Sequence, residues 1–338
     1  MNIGIISLGC AKNLVNSELF LGLSKKYGLN ITSNLNDADF IVINTCGFIA
    51  SSKAESIDTI IEMLEYQQYG KKIIVMGCLV ERYLDSLKDE IPEVDKFIPI
   101  KDYDHLDLVF KEFLDTTDTF NFDYTKRVIS TPAKTAYLRI GEGCNNKCHY
   151  CAIPLIRGSY KSRSFESLME EVEYLHQEGI LELTVIAQDT TTYGSDLENM
   201  SLAKLLDSIA SLNYFKWIRV LYLYPDEITD ELIQTFKKHD SILNYFDIPI
   251  QHASNKILEN MNRRGTKEYI RFIINKIREE IPTSIIRTTL IVGYPTETEK
   301  DFRELTDFVK EMKFEHLGAF TYSPEEDTKG YEMDNQID

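Results

Sequence analysis

Apolar runs alternate with amphipathic stretches along the first part of the chain. The runs IGIISLG, DADFIVINT and KKIIVMG are short, and each is followed by a segment with helical periodicity, such as LVNSELFLGLSKKYG after the first. Strands that alternate with helices are typical of a parallel sheet whose two faces are covered. Residues 1–115 are therefore predicted to form an N-terminal α/β domain.

The pattern is interrupted and then resumes over a longer stretch. Residues 116–134 lose the helical period and are predicted to form a linker or a small hairpin. Residues 135–330 then supply six strand candidates: AYLRIGEG, LELTVIAQ, WIRVLYLY, YFDIPIQ, IIRTTLIVG and HLGAFTY. Six strand–helix units predict an open, partial (β/α)6 barrel, because the closed parallel barrel has eight.

Two local signals refine the prediction near the C-terminus. Thr296 and Glu299 have the spacing of a capping box before a periodic apolar run, and they indicate a helix start. Residues 331–338 are polar and aperiodic, so they are predicted to form a frayed tail.

Composition and charge limit the partners of this protein. The 338 residues are 43% hydrophobic and 27% charged, as in folded globular proteins, but they carry a net charge of −17. Phosphate neutralisation by Lys and Arg dominates nucleic-acid affinity. The acidic balance therefore disfavours a nucleic-acid partner and favours a basic protein.

The sequence shows no sign of export or of membrane insertion. MNIGIISLGCAKN contains neither a basic region nor a small-residue cleavage site, and no apolar segment is long enough to cross a bilayer. We therefore predict a cytoplasmic location with no membrane partner. Thiols stay reduced there, and the six cysteines are predicted to be metal ligands or catalytic groups rather than disulfides.

Three cysteines lie within eight residues of the stretch GEGCNNKCHYCAIPLIRG. Cys144, Cys148 and Cys151 form a C-x3-C-x2-C motif directly after the first predicted barrel strand. A tetrahedral zinc ion would need a fourth ligand, and His149 lies too close to its neighbours to converge with them easily. A [4Fe–4S] cluster fits better, since each iron takes one thiolate and three cysteines leave one iron open. A zinc site, a thiol redox centre and a chance arrangement are the alternatives.

The other three cysteines follow the strands predicted in the N-terminal domain. Cys10 comes after IGIISLG, Cys46 after FIVINT and Cys78 after KIIVMG. The carboxyl ends of parallel strands share one edge of a sheet, where ligands bind, so these three residues are expected to converge. The alternative is that each is a small hydrophobic core residue. We predict a second three-thiolate site, again with an open iron.

These motifs resemble a known superfamily. A C-x3-C-x2-C motif with an aromatic residue before its last cysteine, placed after the first strand of a β/α barrel, resembles the radical S-adenosylmethionine enzymes. The two cysteine trios together resemble the methylthiotransferases, and this resemblance covers essentially the whole chain. Further matching runs are CAIPLIRGSYKSR, VIAQDTTTYG, YFDIPIQHAS, MNRRG and TTLIVGYPTETE.

One motif indicates a branch of this family. SLGCAKNLVNSE resembles the RimO branch, which modifies a ribosomal protein, whereas the MiaB-like, tRNA-modifying branch typically has a GCQxN-type sequence. Ala11 and Asn16 depart from the Pro and Asp common in the motif, and both lie beside a ligand position. Members of the family usually continue into a small β-barrel called TRAM, which this chain, ending at Asp338, is expected to lack.

The resemblance implies the cofactors and the reaction. A radical-generating [4Fe–4S] cluster would bind S-adenosyl-L-methionine, and an auxiliary [4Fe–4S] cluster would carry exogenous sulfide or polysulfide. The methylthio group would reach the β-carbon of an aspartate in small-subunit ribosomal protein twelve, with flavodoxin or ferredoxin as an electron donor. The implied ligands of the first cluster are Cys144, Cys148 and Cys151, and those of the auxiliary cluster are Cys10, Cys46 and Cys78.

The resemblance also implies cofactor-binding residues at the strand ends. Gln188 and Asp189 follow the second barrel strand, where the superfamily binds the cofactor's amino group, although Asp189 is equally suited to cap a turn. Gln251 follows the fourth strand and would meet the ribose. Gly293 follows the fifth strand, where it would let the backbone approach the adenine or simply form a tight turn.

Three further residues are interpreted as structural. His252 is expected to be a satisfied structural histidine. Arg157 and Arg163 could tune the charge of the cluster or anchor its loop on backbone carbonyls, and anchoring is the favoured interpretation.

Two other functions stay open beside methylthiolation of a ribosomal protein. The first is the same chemistry on a tRNA adenosine, and the second is a non-enzymatic iron–sulfur or zinc scaffold, which predicts no cleavage of S-adenosylmethionine.

Overall fold

The computed structural model describes residues 1–132 and 134–337. The chain forms two compact units, and the first contains Met1–Ser130 together with Leu155–Arg157. The second begins at Thr131 and contains the remaining residues. The predicted limits at residues 115, 134 and 330 stay predictions. Ala133 in the predicted linker and Asp338 in the predicted tail lie outside the described residues.

The first unit is built on a parallel sheet. Its helices and strands are β1 (Asn2–Ser7), α1 (Ala11–Lys26), β2 (Asn30–Ile31), β3 (Phe40–Thr45), α2 (Ala50–Leu64), β4 (Lys72–Gly77), α3 (Cys78–Glu90), β5 (Lys96–Ile98) and α4 (Leu106–Leu114). The strand order is β2-β1-β3-β4-β5, and every neighbouring pair is parallel. The predicted N-terminal α/β sheet is confirmed.

Both faces of this sheet are buried because its central strands send alternate side chains into two apolar clusters. Val42 packs with Phe20 of α1 on one face, whereas Ile43 packs with Ile60 of α2 on the other. All six residues of β3 are buried. A parallel strand covered on both faces has a continuous apolar sequence, so polar ligand-binding groups are confined to the strand ends.

A buried ion pair holds the segment after α4 to α1. Arg127 Nη1 lies 2.5 Å from Glu18 Oε2, and the two side chains are 0% and 1% exposed. Ser130 donates hydrogen bonds from its N–H and its Oγ to Glu18 Oε1, and Val128 N–H donates to the Glu18 carbonyl. Arg127, Val128 and Ser130 therefore all contact Glu18 of α1. The same segment includes a short 3-10 turn at Tyr124–Lys126.

The second unit is built on a longer parallel sheet. The elements after residue 130 are β6 (Thr135–Arg139), β7 (Gly141–Glu142), α5 (Ile153–Arg157), β8 (Lys161–Ser162), α6 (Phe165–Gln177), β9 (Glu182–Ile186), α7 (Leu202–Ser211), β10 (Trp217–Val220), α8 (Asp230–Lys238), β11 (Ile242–Asp247), α9 (Asn255–Asn260), α10 (Lys267–Glu280), β12 (Ile285–Val292), α11 (Glu299–Met312) and β13 (His316–Thr321).

The six main strands follow one another in chain order across the sheet. The order is β6-β9-β10-β11-β12-β13 with every neighbouring pair parallel, and β7 and β8 form a separate antiparallel pair. Sequential parallel neighbours joined by helices are the arrangement of an open β/α barrel. The predicted partial (β/α)6 barrel is confirmed, and its strand ends lie where that architecture places active sites.

The start of α11 differs from the prediction. The structure places the N-cap at Thr298, whose side chain accepts from Asp301 N–H while the Asp301 carboxylate accepts from Thr298 N–H. The predicted pair, Thr296 and Glu299, is therefore wrong by two residues. The run TETEKD offers two overlapping threonine–acid pairs, and the one that caps the helix also lets Asp301 accept from Ser254 Oγ.

No helix among the described residues has both the length and the apolar character that crossing a bilayer requires.

Residues at the end of the described chain contact the barrel: Tyr294 Oη lies 3.3 Å from Met333 Sδ. Gln336 Nε2 donates to Gly330 O at 2.8 Å.

Removal of the Arg127 guanidinium is expected to destabilise the first unit. Arg127→Met leaves the Glu18 carboxylate buried without its charge partner, and such a loss costs about 3–5 kcal/mol. Urea unfolding followed by far-ultraviolet circular dichroism would measure it. The control is Lys310→Met, which removes an exposed ion pair with Asp307 and should leave the free energy of unfolding nearly unchanged. A loss below about 1 kcal/mol for Arg127→Met would contradict this account.

Candidate functional sites

Three cysteines converge at one edge of the first sheet because the strands before them end level. Thr45 of β3 pairs with Gly77 of β4, so the residues that follow them leave adjacent strands side by side. Ser7 of β1 pairs with Asn44 of β3, which brings the end of β1 to the same level. The residues concerned, hereafter the N-terminal trio, are Cys10, Cys46 and Cys78.

Two glycines permit the close approach of these loops. Gly9 has φ +84°, and a Cβ on it would lie 2.8 Å from Cys46 Cβ and 3.0 Å from Cys46 Sγ. A Cβ on Gly47 would lie 2.9 Å from the carbonyl carbon of Cys78. Glycine is required where backbones pack this closely. The β1–α1 loop therefore packs against Cys46, and the loop after Cys46 packs against Cys78.

The N-terminal trio has an uneven electrostatic environment. Burial raises the pKa of the Cys78 thiol. The charge of Arg157 lowers this pKa and the charges of Cys10 and Cys46 raise it, and the net shift is upward. At Cys10 desolvation also raises the pKa. There the charges of Lys12 and Arg157, with nearby backbone N–H groups, outweigh it and leave the pKa below its ordinary value. Metal binding requires thiolates, and Arg157 favours them at both positions.

The second group of cysteines, hereafter the loop trio, consists of Cys144, Cys148 and Cys151 in the connection between β7 and α5. Backbone hydrogen bonds fix this loop at three points. Cys144 N–H donates to Gly158 O at 3.1 Å, and Cys151 N–H donates to Cys148 O at 3.1 Å. His149 N–H donates to Met261 O at 2.9 Å. The loop is therefore held to the barrel independently of any bound group.

Burial is also the largest influence on the pKa of two thiols in the loop trio. It raises the pKa of the Cys144 thiol to about 11 and that of the Cys151 thiol to about 12. Arg263 provides the opposing charge: its Nη1 lies 4.0 Å from Cys148 Sγ, and its charge lowers the pKa of Cys151. The guanidinium is held by Pro249 O at 2.6 Å and is only 8% exposed.

The donor sets fit iron–sulfur clusters better than single metal ions. Within residues 1–132 and 134–337, no three His, Cys, Asp or Glu side chains are grouped as ligands of one ion. A cubane cluster does not need three sulfurs within bonding distance of one point, because each thiolate binds a different iron. His149 Nδ1 lies 2.8 Å from Asn260 O, so this ring nitrogen already has a partner. Each trio also has a buried arginine beside it to offset thiolate charge.

The predicted residues after β9 are placed beside the loop trio. Asp189 Oδ1 accepts from Thr191 N–H at 3.1 Å and from Thr191 Oγ1 at 2.5 Å, while its Oδ2 accepts from Asn146 Nδ2 at 2.6 Å. Asp189 thus closes a turn and holds the loop trio, and burial raises its pKa. Gln188 donates to the Glu142 carboxylate, and its buried Oε1 has no hydrogen-bond partner.

The predicted residues after β11 and β12 have unusual backbones. Gln251 has φ +67° and lies beyond the end of β11, where it forms a bridge with Leu290 of β12. Its buried Oε1 also has no hydrogen-bond partner. Gly293 has φ +75°, and no atom lies within 4 Å of the place where a Cβ would be. Two buried acceptors and one open backbone position therefore mark the carboxyl ends of the barrel strands.

A buried pair supports the turn at Gly293. His252 is 0% exposed; its Nδ1 accepts from Ser254 N–H at 2.9 Å and its Nε2 lies 3.3 Å from Glu297 Oε1. Glu297 Oε2 accepts from Gly293 N–H at 2.6 Å. These contacts agree with the interpretation of His252 as a structural residue, and they add Glu297, to which the sequence assigned no role.

The two arginines that follow the loop trio in the sequence have different partners. Arg163 donates to Arg139 O at 2.9 Å and to Ser167 O at 3.2 Å, so it anchors the backbone as predicted. Arg157 does more than anchor a loop, because its Nη2 donates to Asn13 Oδ1 at 2.5 Å and to Cys78 Sγ at 3.1 Å. Its residues Leu155–Arg157 belong to the same compact unit as the N-terminal trio.

Two family descriptions match this chain, the radical SAM superfamily over residues 138–309 and the uncharacterized protein family UPF0004 over residues 2–99. Curated relatives include a protein of Clostridioides difficile named ribosomal protein uS12 methylthiotransferase RimO. It is 51% identical, and the match covers 100% of this chain and 79% of the relative. The protein of the same name from Aquifex aeolicus is 46% identical, with 100% and 76% covered.

Solved structures with a similar fold include two S-adenosylmethionine radical enzymes. The methyltransferase TsrM from Kitasatospora setae matches with a TM-score of 0.69 and 13% identity, covering 94% of this chain and 72% of that one. The cobalamin-dependent enzyme OxsB matches with a TM-score of 0.63 and 14% identity, covering 91% and 51%. At these identities the similarity concerns the fold alone.

Gly143→Ala is expected to displace the loop trio. A Cβ on Gly143 would lie 2.3 Å from Ser159 O, which forces a backbone shift next to Cys144. The matched control is Gly28→Ala: Gly28 also has a left-handed φ, +78°, but nothing lies within 4 Å of its Cβ position. Both variants should lose about 1–2 kcal/mol from backbone strain.

Only Gly143→Ala should also bind less iron after anaerobic reconstitution. Iron per chain and thermal unfolding would be measured for both variants. Equal iron content in the two would show that the packing at Gly143 does not position the loop trio.

Proposed function

The chain belongs to the RimO family of ribosomal protein methylthiotransferases within the radical S-adenosylmethionine superfamily, and we propose that it transfers a methylthio group to ribosomal protein uS12. The acceptor in this proposal is the β-carbon of an aspartate. The observation that carries it is the match of relatives with that name to essentially the whole chain. The alternative of a tRNA adenosine is not favoured, because those relatives are named for a ribosomal protein substrate.

As a member of the radical SAM superfamily, the protein uses a [4Fe–4S] cluster and S-adenosylmethionine. We assign the cluster to the loop trio, whose three thiols leave one iron for the cofactor. When bound, these groups supply the one-electron cleavage that generates a hydrogen-abstracting radical. The part of the protein is to bind, orient and shield them. The adjacent Arg263 suits that part, since its buried guanidinium offsets the thiolate charge.

The strand ends of the barrel supply contacts for the cofactor in this proposal. The unpartnered Oε1 atoms of Gln188 and Gln251 are buried acceptors, and such atoms cost free energy until a donor meets them. The ammonium and ribose hydroxyls of the cofactor are donors of the required kind. Gly293 leaves open space beside its backbone for the adenine. Asp189 holds the loop trio through Asn146, which makes it an orienting residue as well as a candidate ligand of the ammonium.

The N-terminal trio would hold an auxiliary [4Fe–4S] cluster that carries exogenous sulfide or polysulfide. Support comes from the convergence of three thiols at the ends of β1, β3 and β4, with Arg157 beside them. The electron donor in this proposal is a flavodoxin or ferredoxin, and the reaction takes place in the cytoplasm. The net charge of −17 suits a basic ribosomal protein as the substrate.

An anaerobic competition assay tests the substrate. The reconstituted protein would receive S-adenosylmethionine, a strong reductant, a sulfur source, uS12 and a tRNA together, and mass spectrometry would follow both macromolecules and 5′-deoxyadenosine. We expect a methylthio group on the uS12 aspartate alone. A methylthio group on the tRNA would contradict the proposed substrate. Absence of 5′-deoxyadenosine in a cluster-loaded protein would favour a non-enzymatic scaffold.

The matched control is the variant in which all three cysteines of the N-terminal trio are alanine. It keeps the loop trio, so it should still form 5′-deoxyadenosine, but it should leave uS12 without a methylthio group. If this control variant modified uS12 to the same extent as the wild type does, the proposal of an auxiliary cluster would be overturned.

A further inference from the structure

The side-chain amide of Asn13 links the three loops of the N-terminal trio. Asn13 lies in the first turn of α1 and is 0% exposed. Its Nδ2 donates to Leu8 O at 3.1 Å and to Thr45 O at 2.8 Å, carbonyls two residues before Cys10 and one residue before Cys46. Its Oδ1 accepts from Cys78 Sγ at 3.4 Å. One side chain thus contacts all three cysteine-bearing segments.

All four hydrogen-bonding positions of this amide are in use. A primary amide has two N–H donors and an oxygen that accepts two hydrogen bonds, and Arg157 Nη2 occupies the second acceptor position at 2.5 Å. The backbone of Asn13 adds a further link, because its carbonyl accepts from Asn44 Nδ2 at 2.8 Å. Buried polar networks that are fully satisfied specify one arrangement of the groups they join. These hydrogen bonds therefore set the spacing of the three loops.

Arg157 brings a permanent positive charge to the same place. Its side chain is buried, and its Nη2 lies 3.1 Å from Cys78 Sγ. A guanidinium is not deprotonated in proteins, and a hydrogen bond from a charged donor is roughly twice as strong as a neutral one. Asn13 meets this sulfur through its carbonyl oxygen, which can only accept, whereas Arg157 donates to it. Arg157 is therefore the residue that places positive charge at the sulfur.

We infer that Asn13 and Arg157 are positioning residues for the auxiliary cluster, Asn13 by setting the spacing of its ligands and Arg157 by raising its reduction potential. The inference rests on the proposed assignment of that cluster to the N-terminal trio. Net charge and hydrogen bonds to the sulfurs both set the potential of an iron–sulfur cluster. A cation near Cys78 favours the reduced, more negative state, so its removal should shift the midpoint to a more negative value.

The test uses a parent variant with Cys144, Cys148 and Cys151 replaced by alanine, so that only the auxiliary cluster is left. Arg157→Gln and Arg157→Lys would be made in that parent, and each cluster would be titrated with a reductant and followed by electron paramagnetic resonance. Arg157→Gln is expected to lower the midpoint, and Arg157→Lys should lie between it and the parent because it keeps the charge without the planar fork.

Arg127→Gln in the same parent is the control. Arg127 is a buried arginine of the same unit that pairs with Glu18, so the variant should lose stability without a shift in midpoint. A parent-like cluster content and midpoint in both Arg157 variants would overturn the role of Arg157. Loss of the cluster from Arg157→Gln alone, with the cluster retained in Arg157→Lys, would support it. A parent that binds no cluster would instead overturn the proposed auxiliary cluster itself.

Asn13→Ala tests the spacing in the same parent. It removes every side-chain contact of the amide while leaving Arg157 in place, so the chain should bind less iron and the resonance spectrum of the remaining cluster should broaden. Asn13→Gln, which keeps the amide on a longer stem, should restore part of the iron content. Parent-like iron content and an unchanged spectrum in Asn13→Ala would overturn the role of Asn13.

Discussion

The level ends of β1, β3 and β4 are the constraint on which the N-terminal site depends. Their parallel register brings Ser7 opposite Asn44 and Thr45 opposite Gly77, so three loops leave the sheet together. Packing on both faces fixes this register, because a shift of one residue would exchange the side chains that belong to the two apolar clusters. The glycines and the Asn13 amide then complete the approach of the loops.

The two cysteine trios share an electrostatic arrangement. Burial makes a thiol harder to ionise, as at Cys78, Cys144 and Cys151. Each trio has one buried arginine near a sulfur, Arg157 beside Cys78 and Arg263 beside Cys148. An arginine stays charged in such surroundings, so it favours the thiolates that a cluster requires.

Much of this arrangement follows from the sequence. The alternation of apolar runs and helical segments gives both parallel sheets, and cysteines placed directly after three strands must lie at one sheet edge. The spacing of Cys144, Cys148 and Cys151 identifies their loop without tertiary information. These features are predictable because they depend on short-range pattern and on the general geometry of parallel strands.

The remainder depends on contacts between residues distant in sequence. Asn13 lies in the quoted motif SLGCAKN, but its partners Thr45 and Arg157 are 32 and 144 residues away. Arg263 and Glu297 likewise lie in recognised runs, and nothing local indicates a sulfur or a backbone turn as their partner. The predicted cap of α11 is wrong because TETEKD contains two capping patterns, and a tertiary contact of Asp301 with Ser254 distinguishes the correct one.

The measurement that tests the central claim most directly is Mössbauer spectroscopy of the protein reconstituted with enriched iron. The wild type, a variant lacking the N-terminal trio and a variant lacking the loop trio would be compared. Two three-thiolate sites predict about eight cluster irons per wild-type chain and about four in each variant, since a cubane has four. A variant without the loop trio that binds no cluster iron, in a protein that is still folded, would contradict the second site.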